Sequence, residues 1–343
     1  MQLYTLFMLI PKFELTPKLL TNITEIERYY GQLEGIRIPR QLLLNIERTN
    51  LIQSSYSSNS IEGNPLSVGE VTNLILSDRV PVNRSEKEII NYFSILKRLE
   101  TEKARSLTLE YVLKLHKELL AGVNDEIKGQ IRNVPIVVGR KNIDKQIFIK
   151  HNPPFHTRVK IENAIKELLK WLLTSEEPAI LTAGIFHHEF VYLHPFEDGN
   201  GRMCRLLTAL ILLKKNYQIN KYFVLDDYYD IDRGLYSDSL HSADLGNKTL
   251  WLEYFTEGVK YSLQSALARV QEGLRKLAFD IRPSPREQQV LELINQYKEI
   301  TSKDLADEFH ITRQQAHNLL KSLSEKGFLD KKGATKRSFY ILK

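Results

Sequence analysis

The sequence predicts a mainly α-helical protein with one small β-hairpin and a separate C-terminal domain. Over most of the 343 residues, apolar side chains recur at spacings of three and four, which is the period of an amphipathic helix. Two β-branched runs between residues 134 and 149 flank a polar segment that contains Gly139 and Asn142, a pattern typical of a hairpin. A Pro-Ser-Pro segment at 283–285 predicts a linker. The elements that follow it are shorter, which indicates a second domain.

The composition is that of an ordinary soluble protein. The chain is 42% hydrophobic and 26% charged, and its length allows two or three domains. Its net charge of +6 is compatible with phosphate-rich partners. The single cysteine, Cys204, excludes an internal disulfide, and no apolar run reaches the ~18 residues of a membrane span. The apolar stretch at 1–15 lacks the basic start and cleavage site of a signal peptide, so we expect a cytoplasmic protein without a membrane partner.

Residues 1–100 form a predicted N-terminal helical region. Its helices are expected at "TPKLLTNITEIERYYGQLEG", "PRQLLLNIERTNLIQ" and "SEKEIINYFSILKRLE". A serine-rich patch, Ser54 to Ser60, leads into "IEGNPLS", where Gly63 and Pro65 should end a helix.

Residues 101–262 combine further helices with the hairpin. "TLEYVLKLHKELLAG", "RVKIENAIKELLKWLLT" and "AILTAGIFHHEFVYL" have helical periodicity. The strands of the hairpin are predicted at Val134 to Val138 and at Ile147 to Ile149. Residues 263–283 are expected to be a connecting helix and linker.

Residues 284–343 predict three short helices followed by two strands. Thr301 with Asp304, and Thr312 with Gln315, have the spacing of N-terminal capping boxes. "FLDKKGATKRSFYIL" is then expected to form a two-stranded wing. This order is similar to a winged helix-turn-helix.

The charge of this tail leaves two kinds of partner open. It has eleven Lys and Arg against eight Asp and Glu, a net +3. Basic side chains that could contact the phosphates of DNA are Arg313, Lys331, Lys332, Lys336 and Arg337. The alternative is a winged helix that docks another protein or forms a homodimer.

The stretch "HPFEDGNGR", His194 to Arg202, has the composition of an anion-binding loop. A helix beginning near Gly201 offers unpaired amides and the positive end of its dipole. Gly199 and Gly201 let the backbone turn those amides towards phosphate oxygens. Arg202 and Arg205 are three apart and can reach the same anion with forked donors.

Two further side chains of this loop suggest phosphate chemistry. Asp198 beside a polyphosphate is a natural Mg²⁺ ligand. His194 can accept a proton near neutral pH. Phe196 is expected to anchor the loop in the core.

Other chemistry is excluded by the residues around it. His188 and Glu189 could start a zincin motif, but the position of the second ligand is Tyr192. The sequence has no P-loop. The neighbouring His187 and His188 point to different helix faces, so we interpret these two histidines as structural. Cys204 has no base near it in sequence, which argues against a thiol nucleophile.

The segment "HPFEDGNGRMCR" resembles the Fic family signature H-x-F-x-[DE]-G-N-G-R-x-x-R at every specified position. "LTLEYVLKLHKELL…GQIR" resembles the opening of the family's core, the 134–149 hairpin its flap, and "WLEYF" the end of its core. The resemblance covers roughly residues 15–262 and implies a Fic-type helical core, with a C-terminal winged helix as a common companion.

The resemblance implies a protein adenylyltransferase, which transfers AMP from ATP to a hydroxyl of a target protein. It makes His194 the base and Asp198 the holder of Mg²⁺, and it places the target on the flap. The ATP-binding positions that it implies are Gly199, Asn200, Gly201, Arg202, Arg205 and Tyr236. Ser237 replaces the second tyrosine of a Tyr-Tyr pair that lines the family's adenine pocket.

"SSNSIEGN" is similar to the family's inhibitory motif [ST]-x-x-x-E-[GN], with Ser58, Glu62 and Gly63 in place. Ser58 and Glu62 are four apart, so both face one side of a helix. The resemblance puts that helix opposite the phosphate site, where the Glu62 carboxylate would compete with a phosphate of ATP for Arg205.

Two alternative functions remain open. Gly201 stands where the related kinases carry lysine, which favours AMP transfer. Removal of AMP from a target, with Glu62 orienting water, is a second enzymatic hypothesis. A DNA-binding regulator that only senses nucleotide is a third, although simple binding does not require a base such as His194. Self-modification and a homodimer are also compatible with the sequence.

Overall fold

The computed structural model of the protein describes residues 9–141, 147–333 and 338–343. They divide into two units, Met1–Val270 and Gln271–Lys343. The helices of the first unit are α1 (Pro17–Gly35), α2 (Arg40–Ile61), α3 (Val68–Leu76), α4 (Arg84–Glu102), α5 (Leu109–Leu119), α6 (Arg158–Thr174), α7 (Ala179–Leu193), α8 (Asn200–Lys214), α9 (Asp226–Ile231) and α10 (Arg233–His241), and α11 (Thr249–Ile281) continues past the boundary. The mainly helical fold class is therefore confirmed, and none of the described helices is long and apolar enough to cross a membrane.

Local signals in the sequence explain where several of these helices begin and end. Thr16 accepts a hydrogen bond from the Leu19 amide, and Pro17 stands at the first helical position of α1. Helix α2 ends at Ile61, and Gly63 follows with a φ of +88°, which favours glycine. The predicted end of the serine-rich helix is thus confirmed.

Helices α7 and α8 form the centre of the first unit. Both are buried on almost every side, as their apolar sequences indicate. In α7, a Cβ at Gly184 would lie 2.9 Å from side-chain atoms of Leu252 and Phe255, so glycine allows α11 to pack closely. The loop between α7 and α8 carries His194 to Gly199, and this rigid pair of helices therefore fixes both of its ends.

The hairpin is present, but its first strand begins later than predicted. Strand β1 (Val138–Lys141) pairs antiparallel with β2 (Ile147–His151), so the predicted strand from Val134 to Val138 is wrong. The Val134 carbonyl accepts a hydrogen bond from Arg132 Nη1, and it is therefore committed to a side chain instead of a strand partner. Asn142 lies outside the described residues.

The second unit contains the predicted three helices and wing. They are α12 (Pro285–Tyr297), α13 (Ser302–Glu308), α14 (Arg313–Glu325), β4 (Leu329–Lys332) and β5 (Phe339–Leu342). The capping boxes at Thr301 and Thr312 are confirmed. A short strand, β3 (Glu299–Ile300), pairs with β5, so the sheet has the order β3-β5-β4 and three strands where the sequence predicted two.

This unit has a hydrophobic core of its own. The buried side chains are Val290, Ile294, Ile300, Leu305, Ala306, Ala316, Leu320, Leu323, Leu329 and Tyr340. Of the predicted phosphate contacts, Arg313, Lys331 and Lys332 are exposed, while Lys336 and Arg337 lie outside the described residues.

Candidate active site

The loop between α7 and α8 is closed by its own side chains. His194 ends α7 with a φ of +45°, and Gly199 precedes α8 with a φ of +81°. The Asn200 side chain accepts from the Phe196 amide at 2.9 Å and donates to the Phe196 carbonyl at 2.8 Å. Both ends of this amide therefore brace the loop, whereas the resemblance assigns Asn200 to the phosphate cradle.

His116 of α5 supports the loop from below, a role that the sequence did not reveal. Its ring stacks on Phe196 at 3.7 Å with an interplanar angle of 7°. Its Nδ1 accepts from the Gly129 amide at 2.9 Å, so Nε2 carries the proton that is donated to the Asp198 carbonyl at 3.0 Å. Burial lowers the pKa of His116 to about 4 and keeps the ring neutral, as these two bonds require. Its only signal in the sequence is a polar residue on the apolar face of α5.

Arg132 is a buried cation at the other end of the loop, also missed from sequence. It is 1% exposed and donates to the carbonyls of His194 at 2.6 Å, Val134 at 2.9 Å and Phe155 at 2.7 Å. Burial lowers its pKa. Because its guanidinium binds backbone from both α7 and the segment before β1, Arg132 ties the base of the flap to His194.

His194 is oriented to act as a base. Its Nδ1 donates to the Val191 carbonyl at 3.3 Å, which leaves the lone pair on Nε2. Burial first, and then the neighbouring His151, lower its pKa to about 4. The half-buried imidazole is therefore neutral at pH 7 and can take a proton.

Arg205 joins α8 to the serine-rich end of α2. Its Nε donates to Ser58 Oγ at 2.6 Å, and its Nη2 donates to Glu62 Oε1 at 2.7 Å and to the Ser58 carbonyl at 2.7 Å. Asp226 Oδ1 lies 3.5 Å from Nε. Although burial opposes the charge of Arg205, Glu62 first among its neighbours raises its pKa. The structure thus brings together three residues that the sequence placed in one site.

The Glu62 carboxylate stands over the first turn of α8. A Cβ at Gly201 would collide with Glu62 Oε1, so this close approach requires glycine. The amides at the start of α8 are the predicted phosphate donors. A carboxylate therefore already lies against the positive end of the helix.

Arg202 is buried with unused hydrogen-bonding capacity. It is 2% exposed, and its Nη2 donates to Asp198 Oδ1 at 3.3 Å. Glu88 Oε1 lies 3.6 Å from Nη1. Neither Nε nor Nη1 makes a hydrogen bond within the described part of the chain. Arg202 can therefore accept another anionic partner.

Asp198 fits a single carboxylate contact to Mg²⁺. Its side chain is one-third exposed, and its Oδ1 accepts from the Gly199 amide at 2.6 Å. Its Oδ2 lies 3.6 Å from Arg84 Nη2, which is beyond hydrogen-bond range. Because Mg²⁺ is commonly held by one or two carboxylates together with substrate phosphates, this donor set suits it.

Tyr236 is part of a buried aromatic group. Its hydroxyl donates to His187 Nε2 at 2.8 Å, and its ring stacks on Tyr229 at 4.5 Å. The other nitrogen of His187 lies 3.0 Å from Thr208 Oγ1, which agrees with the structural role expected of His187. Burial raises the pKa of the Cys204 thiol, which argues against a role as a thiolate nucleophile.

Comparison with known proteins agrees with this geometry. Residues 106–212 match the model of the Fic/DOC family, and residues 283–337 match that of the MarR family. The fold and the loop thus define a Fic/DOC-type domain followed by a MarR-type winged helix.

The curated relatives include protein adenylyltransferase fic-1 of Caenorhabditis elegans, which is 24% identical over 291 residues, 81% of this chain and 53% of the relative. Protein adenylyltransferase Fic of Nematostella vectensis is 29% identical over 192 residues, 52% of this chain and 42% of the relative. The chain thus spans about half the length of the curated relatives it matches.

Solved structures share the fold. A Fic family protein from Desulfovibrio desulfuricans G20 aligns with a TM-score of 0.68 and 23% identity over 98% of both chains. A fragment of Fic-1 from C. elegans aligns with a TM-score of 0.60 and 21% identity over 74% of this chain and 73% of that one.

Proposed function

We propose that the protein is a protein adenylyltransferase, a nucleotidyltransferase that moves AMP from ATP to a hydroxyl of a target protein. The observation that carries the proposal is the neutral His194, held with its Nε2 lone pair available at one end of a loop whose other end opens an anion-binding helix. The Fic/DOC domain and the names of the curated relatives support the same activity.

The reaction needs a base and a neutralised polyphosphate. His194 Nε2 takes the proton of the target hydroxyl, whose oxygen attacks the α-phosphorus, and pyrophosphate leaves from the opposite side. Asp198 would hold Mg²⁺, which would neutralise charge on the phosphates. The phosphate oxygens are bound by Arg205, by Arg202 and by the backbone amides from Gly199 to Gly201. Tyr236 is placed near the adenine only by the family resemblance.

The flap is the proposed docking element for the target. Among the described residues, strands β1 and β2 pair only with each other, which favours strand addition at an edge of this sheet. Arg132 fixes the base of that hairpin relative to His194. A segment bound along the flap would therefore present its hydroxyl to Nε2. Self-modification follows if a segment of the same chain or of a second copy occupies the flap.

Glu62 is proposed to inhibit the enzyme. It occupies Arg205 and covers the start of α8, where the terminal phosphates of ATP would bind. ATP held away from Arg205 would have a misaligned α-phosphate, which slows transfer without preventing binding.

The test is incubation of the purified chain with Mg²⁺ and ATP labelled at either the α- or the γ-phosphate. We expect protein-bound label from the α-phosphate only, because Gly201 occupies the position at which the related kinases carry a lysine. His194→Ala should abolish labelling while ATP binding, measured by calorimetry, remains. His317→Ala, a histidine of α14 outside the Fic/DOC domain, is the matched control and should behave as wild type. Label from the γ-phosphate would indicate a kinase instead, and an active His194→Ala variant would refute the mechanism.

Removal of AMP is a second candidate, favoured by the position of Glu62 beside the phosphate site. Its side chain is 39% exposed and could orient a water molecule. Release of AMP from a labelled protein by wild type, but not by Glu62→Gly, would support this reaction.

The winged helix is a third functional element. Its match to the MarR family and the exposed Arg313 at the start of α14 support a proposed role in binding DNA. A gel-shift assay with the full chain, with and without ATP, tests whether the chain binds DNA and whether ATP changes that binding, as expected of a regulator that senses nucleotide.

A further inference from the structure

Two histidines and an aspartate converge beside the catalytic loop. His151 is the last residue of β2, His241 is the last residue of α10, and Asp244 follows α10. Asp244 Oδ2 lies 2.7 Å from His151 Nδ1 and 3.1 Å from His241 Nδ1. All three atoms lie within 4.8 Å of one another. None of these residues contacts ATP, Mg²⁺ or the target hydroxyl in the proposed transfer of AMP.

The other polar atoms of the cluster are already committed. His151 Nε2 lies 2.9 Å from the Tyr192 carbonyl, which can only accept, so Nε2 carries the proton and the neutral ring keeps a lone pair on Nδ1. Asp244 Oδ1 lies 3.0 Å from His188 Nε2. That nitrogen is the donor, because Nδ1 of the same ring accepts from Lys248 Nζ at 2.9 Å.

This arrangement matches the hydrogen bonding that commonly surrounds metal ligands. Ligating histidines usually donate their second nitrogen to a carbonyl or carboxylate, and ligating carboxylates are themselves hydrogen-bonded. Here the lone pair of His151 Nδ1 faces a carboxylate oxygen, which is favourable only when a proton or a metal ion lies between them. The Nδ1 of His241 is directed at the same oxygen, Asp244 Oδ2.

We propose that His151, His241 and Asp244 bind a divalent transition-metal ion of the Zn²⁺ class. Two imidazoles and one carboxylate are a common Zn²⁺ ligand set, with bonds of about 2.0 to 2.2 Å and water at the fourth position. In such a tetrahedron the ligand atoms are about 3.3 Å apart, so the two histidine nitrogens would move away from Asp244 Oδ2 by about 0.2 to 0.6 Å. The side chains of His241 and Asp244 are 13% and 18% exposed, which gives the ion a path from solvent.

The ion would connect the flap to the helical core. His151 belongs to the flap, the Tyr192 carbonyl that orients it is near the end of α7, and the other two ligands come from the end of α10 and beyond. The site is chemically distinct from the Asp198 position, because Mg²⁺ prefers oxygen ligands whereas imidazole suits Zn²⁺.

The test uses the full chain, freed of metal with a chelator and measured without ATP or Mg²⁺. Titration with Co²⁺ should give visible absorption bands of a four- or five-coordinate ion that saturate at one equivalent, and Zn²⁺ should displace them. His241→Ala and Asp244→Asn should each weaken binding by at least ~100-fold, and His188→Ala by ~10- to 100-fold. His156→Ala, an exposed histidine five residues after His151, and Asp198→Ala are the controls and should bind as wild type.

X-ray absorption of the Zn²⁺-loaded wild type tests the ligands without any variant that could fail to fold. We expect about two imidazoles together with oxygen ligands. Absence of a one-equivalent site, binding unchanged in His241→Ala and Asp244→Asn, or a spectrum without imidazole would overturn the proposal. The first of these results would assign the cluster to hydrogen bonding alone.

Discussion

Replacement of Glu62 by glycine should release the proposed inhibition. The change removes the carboxylate from Arg205 and uncovers the first turn of α8. The hydrogen bond between Glu62 Oε1 and Arg205 Nη2 is 2.7 Å long, and the arginine side chain is only 2% exposed, whereas that of Glu62 is 39% exposed. A charge-assisted pair of this kind is worth ~1–3 kcal/mol, and solvent around Glu62 places it towards the lower end.

Each 1.36 kcal/mol corresponds to about a tenfold change in rate. We therefore expect Glu62→Gly to transfer AMP roughly five- to tenfold faster than wild type, to itself and to a target. Glu62→Gln keeps most of the bulk but loses the charge, so it should give an intermediate gain. Arg205→Ala should lose activity both alone and combined with Glu62→Gly, because the γ-phosphate then lacks its main cation.

The assay is the initial rate of AMP incorporation from α-labelled ATP in wild type, the two single variants at 62 and 205, and their combination. ATP binding to wild type is measured separately by calorimetry and should be retained. A Glu62→Gly rate no higher than that of wild type would refute inhibition by this helix. A lower rate would make Glu62 a catalytic residue and favour AMP removal.

Three further predictions concern stability and the winged helix. Arg132→Met leaves several buried carbonyls without a donor, so we expect a loss of ~3 kcal/mol or more and a fall in Tm of roughly 5–10 °C, read from tryptophan fluorescence; an unchanged Tm would contradict the role of this cation. Residues 284–343, which have a core of their own, should bind DNA only modestly, and this binding should weaken steeply with salt. The reason is that this segment has a surplus of only three positive charges for contacts to phosphates. Tight binding that is insensitive to salt would refute this. Burial opposes the charge of Glu287, but Lys326 at 2.7 Å and other hydrogen bonds lower its pKa to about 2, so this carboxylate stabilises the unit above the unfolded-state pKa of about 4.3. That stability, on the order of 2 to 3 kcal/mol, should be lost as pH falls from about 4 to 2, and a Glu287→Gln fragment that shows the same pH dependence in thermal melts would refute the assignment.

Sequence patterns predicted the parts of the fold that depend on neighbouring residues. The helical period, the capping boxes at Thr301 and Thr312, and the helix end before Gly63 all arise from contacts within a few residues. The composition of the loop from His194 to Arg202 was likewise sufficient to predict an anion site, because its glycines and the following helix are consecutive in the chain.

Local patterns failed where a distant partner decides the structure. Strand β3 has only two residues and exists because Ile300 pairs with Tyr340. The segment before Val138 is not a strand, and its neighbour Arg132 binds the distant carbonyls of Phe155 and His194. None of these partners can be inferred from the period of the local sequence.

The sequence by itself therefore determined the helical class, the winged helix and the chemistry available in the loop after α7. Only the tertiary structure decided how that chemistry is supported: His116 reaches the Asp198 carbonyl across 82 residues, and Arg132 reaches that of His194 across 62. The physical reason is that buried polar side chains must find hydrogen-bond partners wherever the packed helices bring them. Those partners are set by the packing of whole helices, which the spacing of residues along the chain does not specify.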